Sequence, residues 1–206
     1  MARHQPFQII GYHSCDKEIG LKVLNGEIDL KPSENTWDWL GGGVYFWEQN
    51  PQRALQYATE SARGKQFNKV KIETPFVLGA IIQLGNCLNL IESESLAILE
   101  ESYKGLKQVY EELNKKLPEN KGDNRKLDCA VIQYVHQSTK ERGLMPYDTV
   151  RSAFDEGGNV YPGASFAAKS HLQVCVINTT LIKGYFLPRP VDEFNPHLNK
   201  GFTPKK

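Results

Sequence analysis

Two short stretches in the first quarter of the chain combine residue types that can bind a ligand. His13-Ser14 ends an apolar run, where a histidine can hydrogen-bond a ligand hydroxyl and the adjacent backbone can meet an amide. In LGGGVYFWE, residues 40–48, the glycines up to Gly43 let a ligand approach the backbone, and Tyr45 offers a flat aromatic face. Taken alone, the two stretches are also typical of a structural histidine and of a glycine-rich turn before a core strand.

Residues further along the chain offer hydrogen-bonding and charged groups to the same site. Alternation in KSHLQVCV, residues 169–176, places His171 and Gln173 on one face of a strand. Tyr57 is predicted to lie on the helix after the Tyr45 strand, where packing is the usual role of a tyrosine. His171 also fits an edge strand. Three charged residues complete the candidates: Glu48, Glu156 and Arg151. Such glutamates are usually surface acids, and an arginine in a strand is usually a salt-bridge partner.

The elements that must position these residues follow from local signals. Asn50 is suited to cap a helix that opens with Pro51. Apolar spacing and stop signals predict helices over 16–26, 51–58, 94–117 and 127–137. Strands are predicted over 7–12, 44–47, 76–84, 87–91, 149–154, 172–177 and 182–187. Because strands and helices mix without regular βαβ alternation, the sequence predicts an α+β fold.

The composition is typical of one globular domain with balanced surface charge. The 206 residues include 25 Lys or Arg and 24 Asp or Glu. The net charge of +1 argues against a protein whose whole surface binds nucleic acid. The four cysteines form no C-x-x-C pair, so we expect no metal. No apolar run reaches the roughly 18–20 residues of a membrane span, and the N-terminus lacks a signal-peptide core. We therefore expect a cytoplasmic protein that does not associate with membranes.

Taken in order, the motifs resemble the PARP-like branch of the ADP-ribosyltransferase superfamily, whose His, Tyr and Glu lie on three separate strands. GYHS, ending at Ser14, is similar to the family's His-Gly-Ser/Thr, and GGGVYF, containing Tyr45, to its G-x-G-[IV]-Y-F. ALQY, ending at Tyr57, is similar to its Ser-x-x-Tyr. Gln173, in SHLQVCVIN, stands where the family has its Glu. LKPSENTWDWLGGGVYFWE and SHLQVCVINTTLIKGYF also resemble uncharacterised bacterial proteins of this superfamily, whereas standard dinucleotide and ATP motifs are absent.

The resemblance implies a particular architecture within the α+β class. It is the ADP-ribosyltransferase fold, with two antiparallel-rich sheets around an NAD⁺ cleft. We expect a single domain over residues 1–188 with a helical insertion at about 94–137. An extended C-terminal tail over 189–206 is expected to lie on the surface.

The resemblance also implies roles for the residues around NAD⁺, which would serve as co-substrate without a metal. Tyr45 and Tyr57 would sandwich the nicotinamide ring, and His13 would hydrogen-bond the adenine-side ribose. Positive charge grows on the other ribose as its bond to nicotinamide breaks, and a carboxylate stabilises that state. Gln173 can accept a hydrogen bond from a ribose hydroxyl but supplies no negative charge.

Further residues complete the expected site. Glu48 and Glu156 are the carboxylates that would compensate for the missing Glu, and Arg151 would pair with the NAD⁺ pyrophosphate. The expected binding residues also include three that lie within the motif segments: Ser14, Gly43 and His171.

Departures from the family pattern narrow the expected function. Ser14 replaces the Gly after the histidine, Ala54 stands where a serine often binds the nicotinamide amide, and Gln173 replaces the Glu that elongates polymers. We therefore expect a mono-ADP-ribosyltransferase acting on a protein or nucleic acid. The loop 160–169 would recognise this acceptor. Toxins and phage-defence factors are roles that the resemblance implies, with an antitoxin or regulatory partner. The alternatives are an NAD⁺ glycohydrolase and an inactive NAD⁺ or ADP-ribose binding module.

Overall fold

A computed structural model describes residues 8–64, 71–122 and 124–200. The strands in these ranges are β1 (Gln8–Asp16), β2 (Val44–Glu48), β3 (Pro75–Gln83), β4 (Cys87–Asn89), β5 (Asn120–Lys121), β6 (Asn124–Arg125), β7 (Thr149–Phe154), β8 (His171–Val176) and β9 (Ile182–Phe186). The helices are α1 (Lys17–Leu24), α2 (Pro51–Ala62), α3 (Ser93–Glu112), α4 (Lys126–Glu141) and α5 (Val191–Phe194), with a 3₁₀ turn at Thr179–Leu181. The α+β prediction is confirmed. Of the expected first strand, residue 7 lies outside the described residues.

One seven-stranded sheet dominates the structure, in the order β4-β7-β8-β2-β1-β3-β9. Its neighbouring strands are antiparallel except β4 and β7, which are parallel. Two separate large sheets were expected, and the structure instead joins both halves through β2. The junction is narrow, because β1 and β2 pair only at Gly11 with Glu48 and at Tyr12 with Trp47. Beyond Tyr12 the two strands fork, so each half of the sheet continues with its own partners.

The sheet buries both faces, as the alternating side chains of β2 illustrate. Phe46 enters the larger core cluster together with Leu78 of β3 and Val174 of β8, beside α1. On the opposite face, Tyr45 packs with the α4 cluster, and Trp47 packs with α2. Adjacent residues of one short strand therefore serve different cores.

Two of the helices build the insertion predicted at about 94–137. They are α3 and α4, and the β5–β6 hairpin connects them. Ile132 and Val135 of α4 are buried against the sheet, so α4 is part of the core, and α3 packs on α4 from outside. No helix within the described ranges has both the length and the apolar character needed to cross a membrane.

The predicted start of α2 is confirmed. The side chain of Asn50 accepts a hydrogen bond from the Arg53 backbone N–H at 2.9 Å, and Pro51 occupies the first turn. This cap satisfies one of the N–H groups that a helix start leaves without an intrahelical partner.

The prediction of an extended surface tail after Pro188 is wrong for the residues that the structure describes. A short helix, α5, forms there, and Phe194 and Asn195 are buried. The Asn195 side-chain amide accepts from the backbone N–H of Val77 at 2.8 Å and donates to its carbonyl at 3.0 Å. Val77 lies on β3 beyond the residues that pair with β9, so the asparagine satisfies an edge that no strand covers.

Candidate functional site

Strands β1, β2 and β8 are neighbours in the sheet, and they carry the three residues on which the family resemblance rests. His13 lies just past the last β1–β2 pair, and its Nδ1 is 2.8 Å from the carbonyl oxygen of Tyr45 across the fork. Gln173 of β8 pairs in register with Trp47 of β2. The fold thus gathers distant segments of the chain at one place in the sheet.

The His13 imidazole has a defined protonation pattern. A carbonyl oxygen only accepts hydrogen bonds, so Nδ1 must carry the proton that it donates to Tyr45. Burial lowers the pKa of His13, and the hydrogen bond to the Tyr45 carbonyl opposes this only in part. A neutral ring with an accepting Nε2 is therefore favoured near pH 7, and such a nitrogen can bind a hydroxyl.

The His13 and Tyr45 side chains do not share a face of the sheet. The His13 ring lies 5.7 Å from that of Phe46, on the side of the larger core. Tyr45 and Gln173 extend to the other side, as the alternation of their strands requires. A ligand that contacts all three residues must therefore pass through the fork between β1 and β2.

Tyr45 is held firmly by its hydroxyl group. The hydroxyl donates to the carbonyl of Gly41 at 2.7 Å and accepts from the N–H of Leu40 at 3.0 Å. Burial raises the pKa of Tyr45 well above its ordinary value, so the phenol stays protonated. The ring packs in the α4 cluster beside Cys175. Tyr45 thus fixes the glycine-rich turn, and its ring is partly buried against that cluster.

Gly43 has a structural reason to be glycine. A Cβ atom at this position would lie 2.5 Å from Sγ of Cys175 and 2.8 Å from the carbonyl oxygen of Val176. The close neighbour is therefore β8, whereas the sequence suggested a ligand. Of the two sequence-based interpretations, the turn before a core strand is the one that the geometry explains.

The two tyrosines of the expected sandwich pack against different core clusters. Tyr57 packs on the Trp47 ring, with centroids 4.9 Å apart and planes tilted by 48°. Trp47 is therefore an aromatic neighbour of Tyr57 that the sequence analysis did not include. Sequence reasoning could have found Trp47, because it lies two residues after Tyr45 and so on the same face of β2.

Two of the three departures from the family pattern, Ser14 and Ala54, contact each other. The Ser14 hydroxyl donates to the carbonyl oxygen of Ala54 at 2.5 Å, and both residues are buried. This contact ties α2 to β1. Ser14 thus holds the helix that carries Tyr57, and its hydroxyl already has an acceptor.

Glu48 and Arg151 pair with each other. Nε and Nη2 of Arg151 donate to the two carboxylate oxygens of Glu48 at 2.6 and 2.9 Å, and Nη1 lies 3.3 Å from the side-chain oxygen of Asn89. The hydrogen bond to Glu48 raises the pKa of Arg151. The salt-bridge interpretation of Arg151 is confirmed. Glu48 is committed to this pair and offers no free carboxylate in this arrangement.

Arg53, which the sequence analysis missed, pairs with Glu156. Its side chain is only 5% exposed, and Nη2 contacts the Glu156 carboxylate. The guanidinium carbon also lies 5.8 Å from the centroid of the Trp47 ring. The signal was present in the sequence, since Arg53 opens the same face of α2 on which Tyr57 follows four residues later.

His171 joins the same group from β8. Its Nδ1 is 2.6 Å from the carbonyl of Lys169, and its ring stacks on Phe154 at 5.7 Å and lies 6.4 Å from Trp47. Burial lowers the pKa of His171, although the Lys169 carbonyl and the Glu156 charge act in the opposite direction. Because Nδ1 donates, Nε2 of the neutral ring is an acceptor.

We call Trp47, Arg53, Glu156 and His171 the Trp47 cluster. Four of its buried nitrogen atoms have no hydrogen-bond partner among the described residues: Trp47 Nε1, Arg53 Nε, Arg53 Nη1 and His171 Nε2. Each buried polar group left without a partner costs about 1–3 kcal/mol. A surface depression lies alongside, lined by Asn50, Gln52, Arg53, Gln56, Ala168, Lys169 and Ser170. The cluster is therefore the best-supported candidate site in the described part of the chain.

The four cysteines are free. Burial raises the pKa of Cys15 to about 12 and that of Cys87 and Cys129 to about 11, and it also raises the pKa of Cys175. These thiols stay protonated near neutral pH, so none of them supplies a thiolate nucleophile. The described residues contain no group of three or more His, Cys, Asp or Glu placed to hold a metal ion.

Comparison with known proteins gives one relative without a known function. An uncharacterised protein of Methanocaldococcus jannaschii is 25% identical to this chain over 89% of the chain and 90% of the relative's length. No protein-family model matches the sequence, and no solved structure matches it significantly. The likeness thus extends over nearly the full length of both proteins.

Proposed function

We propose that this chain is an NAD⁺-dependent mono-ADP-ribosyltransferase that modifies a macromolecular acceptor. The observation that supports it most is the adjacency of the three motif strands, with His13 contacting Tyr45 across the fork and Gln173 on the next strand. The fork lies between the two halves of the sheet, where the resemblance expects the dinucleotide. A specific ADP-ribosyltransferase fold is part of the same proposal.

The proposed reaction breaks one bond and forms one. The bond between nicotinamide and C1′ of the ribose breaks, its electrons leave with nicotinamide, and an oxygen or nitrogen of the acceptor bonds to C1′ and loses its proton to solvent. The side-chain carbonyl of Gln173 accepts a hydrogen bond from a ribose hydroxyl and so orients the sugar. In chain elongation a hydroxyl of the attached ADP-ribose would be the next acceptor. An amide cannot remove the proton of that hydroxyl, and the reaction therefore stops after one transfer.

The loop 157–169 is the proposed contact for the acceptor. It leads into β8, which begins two residues before Gln173. The loop exposes Val160, Tyr161 and Phe166, each more than half accessible. Its ends are held by a bridge between Asn159 and Ala167. Exposed aromatic rings on a held loop suit recognition of a large molecule, since they add contact area with few rotatable bonds. Protein and nucleic acid remain the two acceptor classes.

A nicotinamide-release and label-transfer assay tests the proposal. Purified protein is incubated with NAD⁺ labelled on the adenine phosphate, together with cell lysate or nucleic acid. Transfer of label to a macromolecule, lost in Gln173→Ala and retained in Gln137→Ala, is expected; Gln137 is a solvent-exposed glutamine of α4 and serves as the matched control. Tyr45→Ala is not used here, because losing the Tyr45 hydroxyl contacts would disturb the glycine-rich turn.

Two other results would contradict the proposal in different ways. Nicotinamide release without a labelled macromolecule would identify an NAD⁺ glycohydrolase. NAD⁺ or ADP-ribose binding without release would identify an inactive binding module, the second candidate. The pairing of Glu48 with Arg151 and of Glu156 with Arg53 favours that second candidate, because both candidate carboxylates are already committed.

A further inference from the structure

We infer that the Trp47 cluster binds the pyrophosphate of the dinucleotide. This inference rests on the proposed function for the identity of the ligand, and on separate atoms for its chemistry. The sequence motifs assigned the pyrophosphate to Arg151, whose guanidinium is committed to Glu48. Arg53 is the cation that we propose instead, because its Nε and Nη1 are buried without a hydrogen-bond partner among the described residues.

The unpartnered atoms favour an anion with several oxygens. Trp47 Nε1 and Arg53 Nε each present one N–H, and Arg53 Nη1 presents two. A neutral or cationic ligand would leave most of these donors unmatched, whereas phosphate oxygens accept several hydrogen bonds at once. Guanidinium groups match phosphate geometry with paired N–H groups. Arg53 is 5% exposed and Trp47 is 5% exposed, so little water competes for these donors.

His171 adds the one acceptor of the cluster. Its Nδ1 is occupied by the Lys169 carbonyl, so the neutral ring presents the Nε2 lone pair. A hydroxyl of the ribose next to the pyrophosphate can donate to this nitrogen. A ligand that carries both a phosphate and a neighbouring sugar hydroxyl therefore offers acceptors for the donors of the cluster and a donor for its one acceptor.

The first turn of α2 strengthens the site. Asn50 caps this 12-residue helix, and Asn50, Arg53 and Gln56 line the depression beside the cluster. The start of a helix carries a partial positive charge and attracts anions. Of the other charges nearby, Glu156 contacts one nitrogen of Arg53, Lys169 pairs with Glu60, and the Asp155 carboxylate near His171 accepts from the Ser170 hydroxyl. Arg53 thus has a counter-ion on one side and free donors on the other.

Calorimetric titration of the purified full-length protein tests the inference. The ligands are ADP-ribose and inorganic pyrophosphate, and nicotinamide riboside serves as the ligand without phosphate. We expect Arg53→Gln to raise the dissociation constants for ADP-ribose and pyrophosphate roughly 10- to 100-fold, as loss of a hydrogen-bonded charge predicts. Trp47→Phe, which removes one neutral N–H, is expected to raise them about 3- to 10-fold. Neither variant should change the affinity for nicotinamide riboside.

The chain offers a matched pair of control residues. The Arg125 guanidinium also lies over a tryptophan, at 4.8 Å from the ring centroid of Trp39, and it pairs with Asp128. Arg125→Gln and Trp39→Phe should leave binding unchanged. Arg53→Lys keeps the charge beside Glu156 but loses Nε, so it should fold even if Arg53→Gln does not, and it should still weaken binding of pyrophosphate.

Results for the inference and for the proposed function can be separated. Unchanged pyrophosphate and ADP-ribose affinity in Arg53→Lys and Trp47→Phe would overturn the inference, even if the native protein releases nicotinamide. The inference would also be overturned if neither phosphate ligand binds the native protein at millimolar concentration. Conversely, Arg53-dependent pyrophosphate binding without any reaction of NAD⁺ would support the site and refute the transferase.

Discussion

Tyr45 and Trp47 lie two residues apart on the same face of β2, yet their surroundings differ in one respect. The Tyr45 hydroxyl has both a donor and an acceptor partner in the glycine-rich turn. The Trp47 indole N–H has none among the described residues, and the same holds for three nitrogen atoms of Arg53 and His171 beside it. The family resemblance emphasises Tyr45, and the unpartnered atoms surround Trp47.

The difference distinguishes polar groups that stabilise the fold from polar groups that are available to a ligand. A buried group that is fully hydrogen-bonded stabilises the fold that it helps to build. Buried donors without partners cost free energy, and a ligand that supplies acceptors recovers it. We therefore expect substitutions around Tyr45 to reduce stability and substitutions in the Trp47 cluster to reduce binding.

Tyr45→Ala should have the largest effect on stability. Truncating a buried aromatic side chain costs about 3–5 kcal/mol, and here the turn also loses two hydrogen bonds. Urea denaturation followed by circular dichroism measures the loss. Tyr103→Ala, on the partly exposed surface of α3, is the control and should shift the midpoint little. Equal midpoints for the two variants would show that Tyr45 does not fix the turn.

Gly43→Ala should have the next largest effect on stability, because the new methyl group would overlap Cys175 and the Val176 carbonyl. Overpacking of this kind costs about 1–3 kcal/mol. Gly158→Ala is the matched control, since a Cβ atom there would meet nothing within 4 Å. The free energies of unfolding of the two variants should differ by that amount. A difference near zero would mean that β2 and β8 can separate without cost.

Tyr45→Phe and Trp47→Phe compare the two regions directly. Tyr45→Phe leaves the Leu40 N–H without an acceptor and should cost about 1–3 kcal/mol. Trp47→Phe loses packing of the buried indole, but it also removes a buried N–H without a partner among the described residues. The two effects oppose each other, so the unliganded protein should keep its stability to within about 1 kcal/mol. Thermal denaturation without ligand checks both. If Trp47→Phe is the more damaging of the two, the distinction between the regions is wrong.

A pH dependence at His171 should be the smallest effect. Burial lowers the pKa of His171 in the folded protein, so the folded state binds fewer protons than the unfolded chain. The stability that depends on the neutral ring is complete above the unfolded pKa of about 6.5 and is lost as the pH falls below it. His171→Gln should make the free energy of unfolding fall less steeply between pH 6.5 and pH 5 (about the range where histidines titrate). An identical slope in the variant would show that another group causes the loss.

Local signals determined most of the secondary structure. The Asn50-Pro51 pair starts α2 through interactions within a few residues, so its effect is visible in the sequence. The same is true of the alternation in β8, which placed His171 and Gln173 on one face. These features depend on neighbours along the chain, and the structure confirms them.

The tail shows what local signals cannot supply. Residues 189–206 are polar and contain prolines, which predicts an extended segment. The structure instead uses Asn195 to satisfy the backbone of Val77, 118 residues earlier in the sequence. The sequence does not distinguish this asparagine from any other. The backbone groups that it bonds are unpaired only because β9 ends short of Val77, and that is a property of the folded sheet.

For the candidate site, the sequence by itself determined the order of the motifs and the residue types at His13, Tyr45 and Gln173. Only the tertiary structure decided which of their neighbours are already bonded: Tyr45 to its own turn, Glu48 to Arg151, and Arg53 to Glu156 on one side alone. The physical reason is that a polar side chain becomes available for a ligand through the partners it lacks. The partners of Glu48 and Arg53 lie 103 residues away along the chain, so no local pattern records these two pairs.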